Sequence, residues 1–211
     1  MPRVAYSGEE REKIRAALIS TALERMARQG IQHTTVEQIY REVGISRTFF
    51  YSFFPTKEDL VVETLYLQQP RILAYARSLM EDPSLSWREG VGQFLRACCY
   101  GEEHGIAVLT IEEQQLIFRR LSEESYRLFR EKQARLFGGI LECFGVPATP
   151  RRVRLFTNLS LAMMVVRRAI PQTLPMLVPE AADETVEFQI GAMVDALERM
   201  RGQPDGTEPT E

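Results

Sequence analysis

The segment from residue 33 to residue 60, HTTVEQIYREVGISRTFFYSFFPTKEDL, constrains the fold more than any other part of the chain. Thr35 with Gln38 three residues later has the spacing of a capping box, so a helix is predicted to begin there. Gly44 is expected to end this helix, because glycine adopts the left-handed conformation without strain. Ser46 can then cap a second helix almost at once. The pattern predicts two short helices joined by a glycine turn.

Helix, glycine turn and short second helix make a helix-turn-helix, a unit that places its second helix in the major groove of DNA. Ser46, Tyr51 and Lys57 offer a hydroxyl, a phenol and an ammonium, which suit phosphate oxygens but read no sequence. The start of a helix at Thr35 adds backbone N–H groups of the kind that bind phosphate. A third helix is expected to begin at Thr56.

Three residues of the second helix are candidates for contact with base edges. Arg47 carries a guanidinium, which can grip guanine with two hydrogen bonds, and Thr48 can supply a hydroxyl or touch a thymine methyl group. Phe49 has two equal interpretations. It either makes an apolar contact with a thymine methyl group or packs as a core aromatic, as is expected for Phe50 and Phe54.

The string GISRTFFYSFFPTKEDL resembles the signature of the tetracycline-repressor (TetR) family, which runs roughly G-V-S-x-G-T-x-Y-x-x-F-x-S-K-E-x-L. Matching or near-matching positions are Gly44, Ile45, Ser46, Tyr51, Phe54, Thr56, Lys57, Glu58 and Leu60. Two positions depart from it, since Thr48 replaces a usual glycine and Phe49 replaces a threonine that usually contacts DNA. The resemblance covers about the first 65 residues. It implies a transcriptional regulator whose last two helices form a four-helix interface with a partner.

The remainder of the chain has helical periodicity without the alternation of strands, so the expected fold is all-α. Residues 1–55 are predicted to form a three-helix DNA-binding domain, and residues 56–201 a helical bundle for ligand binding and dimerisation. Residues 202–211 are a polar tail that is expected to be disordered. The segment LFTNLSLAMMVV is apolar nearly all round, which predicts a helix covered on every side and, with it, a homodimer.

Composition excludes several classes of protein. An apolar share of 45% and a charged share of 26% are typical of a globular protein. No apolar run is long enough to span a membrane. Three cysteines cannot all pair within the chain, which favours a reducing cytoplasm. Motifs for metal, phosphate or nucleophilic chemistry, such as HExxH, CxxC and GxSxG, are absent from the sequence, so we expect no metal, no cofactor and no catalytic activity.

The second domain has the composition of a bundle that can enclose an apolar cavity for a small effector. The domain is rich in Met, Phe and Tyr and has one Trp, and its candidate lining residues are Trp87, Tyr100, His104, Gln115, Phe118 and Met163. Ordinary core packing is the alternative for each of them. The adjacent Cys98 and Cys99 invite a redox hypothesis, but burial as small apolar residues is the simpler interpretation.

These observations predict a homodimeric transcriptional regulator in the cytoplasm, more specifically a repressor that binds a pseudo-palindromic DNA site and is released by a small apolar effector. The alternative is a helical dimer that binds a ligand or a protein and has lost its DNA-reading surface. Phe49 and the net charge of −3 favour the alternative. Steep salt dependence of binding to duplex DNA would separate the two.

Overall fold

The computed structural model describes residues 6–101, 111–170 and 178–202, and within these ranges the regular secondary structure is helical. One 3₁₀ turn, Pro179–Ala181, precedes the last helix. The helices are α1 (Gly8–Gln29), α2 (Val36–Val43), α3 (Arg47–Phe50), α4 (Lys57–Glu81), α5 (Trp87–Cys99), α6 (Ile111–Arg120), α7 (Glu123–Cys143), α8 (Pro150–Ala169) and α9 (Ala182–Arg201). The predicted all-α fold is confirmed.

Most helices begin where a short polar side chain can bond the first free backbone N–H groups. The helix starts expected at Thr35, Ser46 and Thr56 are confirmed, and Ser86, Ser122 and Thr149 cap α5, α7 and α8 in the same way. Helix α1 begins at Gly8, where Ser7 forms a capping box with Glu10. Gly44 adopts φ 78° and ψ 29°, the left-handed conformation that the turn between α2 and α3 requires.

The described residues form two hydrophobic clusters. The first cluster joins α1, α2 and α3 to the first half of α4, where Leu60, Val61 and Leu65 are buried. Ile117 of α6 and Phe129 of α7 also belong to it. The second cluster joins the later part of α4 with α5, α7, α8 and α9. The domain boundary predicted at residue 55 lies between α3 and α4, but the first hydrophobic cluster continues across it into α4.

Helix α4 connects the two clusters without interruption. Pro70 lies inside it and has no N–H group, so the carbonyl four residues earlier loses its helical hydrogen bond. The helix nevertheless continues to Glu81, and it packs against α1, α5 and α7. One continuous helix therefore contributes buried residues to both clusters.

In the single chain, helix α8 is not covered on every side. Leu155 and Leu159 remain exposed on its outer face. Phe188 of the neighbouring α9 has 77% of its surface accessible. The all-round apolar pattern therefore reflects two faces of different kinds, one packed in the bundle and one open.

Among the described residues, none of the helices has both the length and the hydropathy required to cross a bilayer.

Candidate nucleic-acid interface

Helix α3 is anchored by aromatic rings on its inner side. Ser46 Oγ accepts a hydrogen bond from the backbone N–H of Phe49 at 3.2 Å, which begins the helix. Phe50 is fully buried and Phe54 nearly so, and their ring centroids lie 5.8 Å apart. The backbone bonds from Tyr51 to Arg47 and from Phe54 to Phe50 extend helical geometry past the end of α3. The short helix is thereby fixed in orientation.

The opposite side of α3 is open to solvent. Arg47, Thr48, Tyr51 and Ser52 are all exposed. The Arg47 guanidinium lies 5.8 Å from the centre of the Tyr51 ring, so these two groups share one flank of the helix. This arrangement places a cation, a phenol and two hydroxyls on one accessible surface, which is a composition suited to phosphate and base edges.

Phe49 lies on the other flank and is not a residue of the buried core, whereas its contact with a thymine methyl group stays a prediction. It is half-buried and stacks on Tyr6, with ring centroids 4.6 Å apart and planes inclined by 16°. Phe53 meets it edge-on at 5.0 Å. The Arg11 guanidinium lies 5.4 Å from the Phe49 ring and 4.6 Å from the Phe53 ring. Phe49 thus belongs to a surface cluster and not to the buried core.

Lys57 and Thr35 carry structural contacts in addition to any contact with DNA. The Lys57 ammonium donates a hydrogen bond to the Ile31 carbonyl at 2.6 Å, which ties the start of α4 to the loop before α2. Thr35 is exposed, but its hydroxyl and its backbone N–H both bond Gln38. The capping box therefore already uses part of the hydrogen-bonding capacity at this helix start.

Comparison with known proteins agrees with this geometry. Residues 18–64 match the family model described as bacterial regulatory proteins, tetR family. A curated relative is the uncharacterized HTH-type transcriptional regulator YuxN of Bacillus subtilis (strain 168), which is 40% identical over 57 residues. The segment formed by residues 18–64 is therefore of the TetR type. The match to YuxN spans 27% of this chain and only 19% of that protein.

Solved TetR-family structures share the fold along nearly the whole chain. A TetR-family transcriptional regulator from Pectobacterium atrosepticum aligns with 94% of this chain and 100% of its own, at a TM-score of 0.58 and 16% identity. E. coli NemR in its reduced form aligns with 92% of this chain and 99% of its own, at a TM-score of 0.52 and 11% identity. A TetR transcriptional regulator from Legionella pneumophila aligns with 92% of this chain and 98% of its own, at a TM-score of 0.50 and 19% identity. At such low sequence identities, the structural likeness shows a common fold alone.

The candidate effector-pocket residues are not brought together. Trp87 donates its indole N–H to the Phe144 carbonyl at 2.8 Å and lines a cavity of about 290 Å³ between the ends of α4 and α7. Met163 is buried in the second cluster, whereas Gln115 and Phe118 are exposed on α6.

Tyr100, another candidate, occupies a separate position at the end of α5. Its ring lies 4.4 Å from the Arg167 guanidinium, and its hydroxyl donates to Asp183 at 3.4 Å. His104, the remaining candidate, is outside the described residues.

The cysteine pair is buried, as the simpler interpretation had it. Burial raises the pKa of the Cys98 thiol to about 12 and that of Cys99 to about 11, since the thiolate is poorly solvated there. Both thiols are therefore protonated at neutral pH, and a protonated thiol is a poor nucleophile. The residues that the structure describes include no group of three or more His, Cys, Asp or Glu placed to hold a metal ion.

Several residues of the TetR-like head were missed by the sequence analysis. Tyr6 was not among the candidate residues, yet its ring stacks on Phe49 of α3. Arg120 of α6 reaches back to Glu58, with its guanidinium nitrogen 3.2 Å from both carboxylate oxygens. Contacts between residues so distant in sequence produce no local sequence pattern that would predict them. Only the aromatic run from Phe49 to Phe54 indicated an aromatic cluster.

Proposed function

We propose that this TetR-family transcriptional regulator binds a pseudo-palindromic DNA operator as a homodimer, and that it is a repressor released by a small apolar effector. The observation that carries the proposal is the reading face of α3, where Arg47, Thr48 and Tyr51 stand exposed on a helix fixed by buried rings. A rigid and open helix is what entry into a major groove requires. Duplex DNA as the partner implies a cytoplasmic protein, and the proposal assigns no catalytic residue.

The open faces of α8 and α9 support the homodimer. Leu155, Leu159 and Phe188 are exposed, and Gly191 and Ala192 beside them on α9 are exposed as well. Apolar side chains next to small residues permit close helix packing, and a contiguous exposed apolar face marks an interaction site. A two-fold axis through this face would give a four-helix interface and two reading heads for two half-sites.

Contacts between the two clusters support coupling of effector and DNA binding. Ile117 of α6 and Phe129 of α7 are buried among residues of the DNA-binding head. The Lys132 ammonium of α7 lies 3.6 Å from the centre of the Tyr66 ring on α4. An effector that prefers a bundle shape in which these contacts shift would lower DNA affinity by the difference in its affinity for the two shapes, about 1–3 kcal/mol in typical cases.

Selection of bound sequences from a random duplex pool tests the proposal. We expect enrichment of a site with two-fold symmetry and a steep fall in affinity with salt, because several phosphate contacts release counterions. Arg47→Ala should relax preference at one base position by about 1–3 kcal/mol, whereas Tyr51→Phe should weaken all sequences alike. Arg77→Ala, which removes an exposed arginine of α4, is the matched control and should change neither.

The second candidate function is a helical dimer that binds a ligand or a protein through a degenerate reading surface. The engagement of Phe49 by Tyr6, and that of Lys57 by the Ile31 carbonyl, favour it. Absence of sequence enrichment together with salt-independent, weak binding to duplex DNA would reject DNA reading and leave this candidate.

A further inference from the structure

The aromatic cluster beside α3 is the feature that the proposed DNA binding does not use. It consists of Tyr6 before α1, Arg11 on α1, and Phe49 and Phe53 on the α3 segment. Tyr6 retains 38% of its surface and Phe49 is half-buried, so the cluster forms part of the surface. Holding Tyr6 in this stack costs conformational entropy in the chain before α1. Core packing does not account for the stack, because both rings lie at the surface.

The position of the cluster around α3 places it next to the reading face. Successive helical residues are rotated by about 100°, so Phe50 and Phe54 face inward while Thr48 and Ser52 face outward. Phe49 lies between these directions, adjacent to Thr48. The Tyr6 ring, nearly parallel to that of Phe49 at 4.6 Å, extends the apolar edge away from α3 toward the start of α1. The accessible surface of α3 therefore passes without a break from hydroxyls to aromatic carbon.

We propose that Tyr6 and Phe49 together form a thymine-reading element, in which the stacked rings contact the 5-methyl group of a thymine in each half-site. The thymine methyl group is the apolar feature that the major groove presents, and phenylalanine is among the side chains that contact it. The inference rests on the proposed binding of duplex DNA. It adds Tyr6, from outside the helix-turn-helix, as a specificity-determining residue.

The stack supplies what an isolated phenylalanine on an exposed helix lacks. Tyr6 on one side, with Phe53 and Arg11 also in contact, restricts the Phe49 ring to one orientation, so less freedom is lost when it meets the base. Arg11 contributes a positive charge on the same flank, where its guanidinium is attracted by the two ring faces. Apolar contact then reads the base, and the cation favours the nearby phosphates.

Replacement of thymine by uracil tests this element, because uracil differs only by loss of the methyl group. Each symmetric pair of thymines in the selected operator is replaced in turn, and affinities are measured for the full-length chain. At one position the wild-type protein should lose about fourfold per half-site, the value expected for one buried methyl group. Tyr6→Ala and Phe49→Ala should bind the thymine operator more weakly and show no uracil effect at that position.

The control is Tyr126→Ala, which removes a tyrosine of equal exposure, 39%, that also pairs with a phenylalanine, Phe118, but on α6 and α7. It should keep the wild-type uracil effect. Circular dichroism of each variant establishes that it is folded, and Tyr6→Phe, which keeps the ring, should behave as wild type. A wild-type protein that binds its operator with no uracil effect at any position overturns the thymine-reading element while leaving DNA binding intact. So does a Tyr6→Ala protein with an undiminished uracil effect. Failure of the wild-type protein to bind duplex DNA would instead reject the proposed function.

Discussion

Truncation of Phe188 to alanine gives the sharpest test of the homodimer. In the single chain 77% of this side chain is accessible, the highest value among its large apolar residues that the structure describes. It lies on the outer face of α9, on the same side as the exposed Gly191 and Ala192. If a second copy covers this face, Phe188 is buried on association, and its loss weakens the dimer without disturbing the core of either protomer.

The magnitude follows from the area involved. An aromatic side chain covers about 150–250 Å² when buried, of which truncation to alanine removes about 100 Å² of the exposed part. At about 25 cal/mol per Å², this corresponds to about 2.5 kcal/mol per protomer. Because a two-fold axis repeats the contact, the expected cost is up to about 5 kcal/mol per dimer, a thousandfold or more in the dissociation constant.

Sedimentation velocity over a dilution series measures this constant directly. Leu67→Ala is the matched control, since Leu67 is an exposed apolar residue of α4 outside the α8 and α9 face. Equal dissociation constants for Phe188→Ala and the wild type would refute the assignment of the interface. Gly191→Ala gives an independent check. An added Cβ meets nothing within 4 Å in the single chain, so this change should weaken only a dimer in which the partner approaches α9 closely.

Four further predictions concern stability and thiol chemistry. Arg120→Ala leaves the Glu58 carboxylate, which is only 8% exposed, without this partner. Because Arg120 is itself 55% exposed, we expect the free energy of unfolding in urea to fall by only about 1–2 kcal/mol. An unchanged denaturation midpoint would contradict this expectation. Phe50→Ala empties a fully buried site and should cost about 3–5 kcal/mol in the same assay. The pKa of Cys98 is raised to about 12 by burial, so the folded chain holds a proton that the unfolded chain releases near pH 9, and stability should fall as pH rises from there toward 12. Alkylation at pH 8 should accordingly modify the half-buried Cys143 first and Cys98 only on unfolding, which peptide mass spectrometry can follow.

The helix starts were predictable because their determinants lie within four residues of one another. The capping boxes at Thr35 and Ser86 are complete in the local sequence, and the bonds observed there join residues three apart. Gly44 was predictable for the same reason, since its conformation follows from the residue itself. The TetR signature added the identity of the unit that these elements form.

The long-range contacts of the head were not predictable from pattern. Phe49 and Tyr6 are 43 positions apart, and the bond from Arg120 to Glu58 spans 62. No periodicity relates such positions, so the sequence left Phe49 between two interpretations and did not place it against Tyr6. The candidate pocket residues Trp87 and Met163 were chosen by type alone, and residue type does not determine which side chains share a cavity.

The burial of Ile117 and Phe129 inside the DNA-binding head has a consequence for modularity. This head, α1 to α4, takes part of its interior from α6 and α7, which follow α4 only after the whole of α5. Cut off behind α4, it would expose the apolar surface that those two side chains cover. Exchange of heads between regulators would therefore succeed only when α6 and α7 travel with them, or when the recipient offers side chains of similar volume at the same two places.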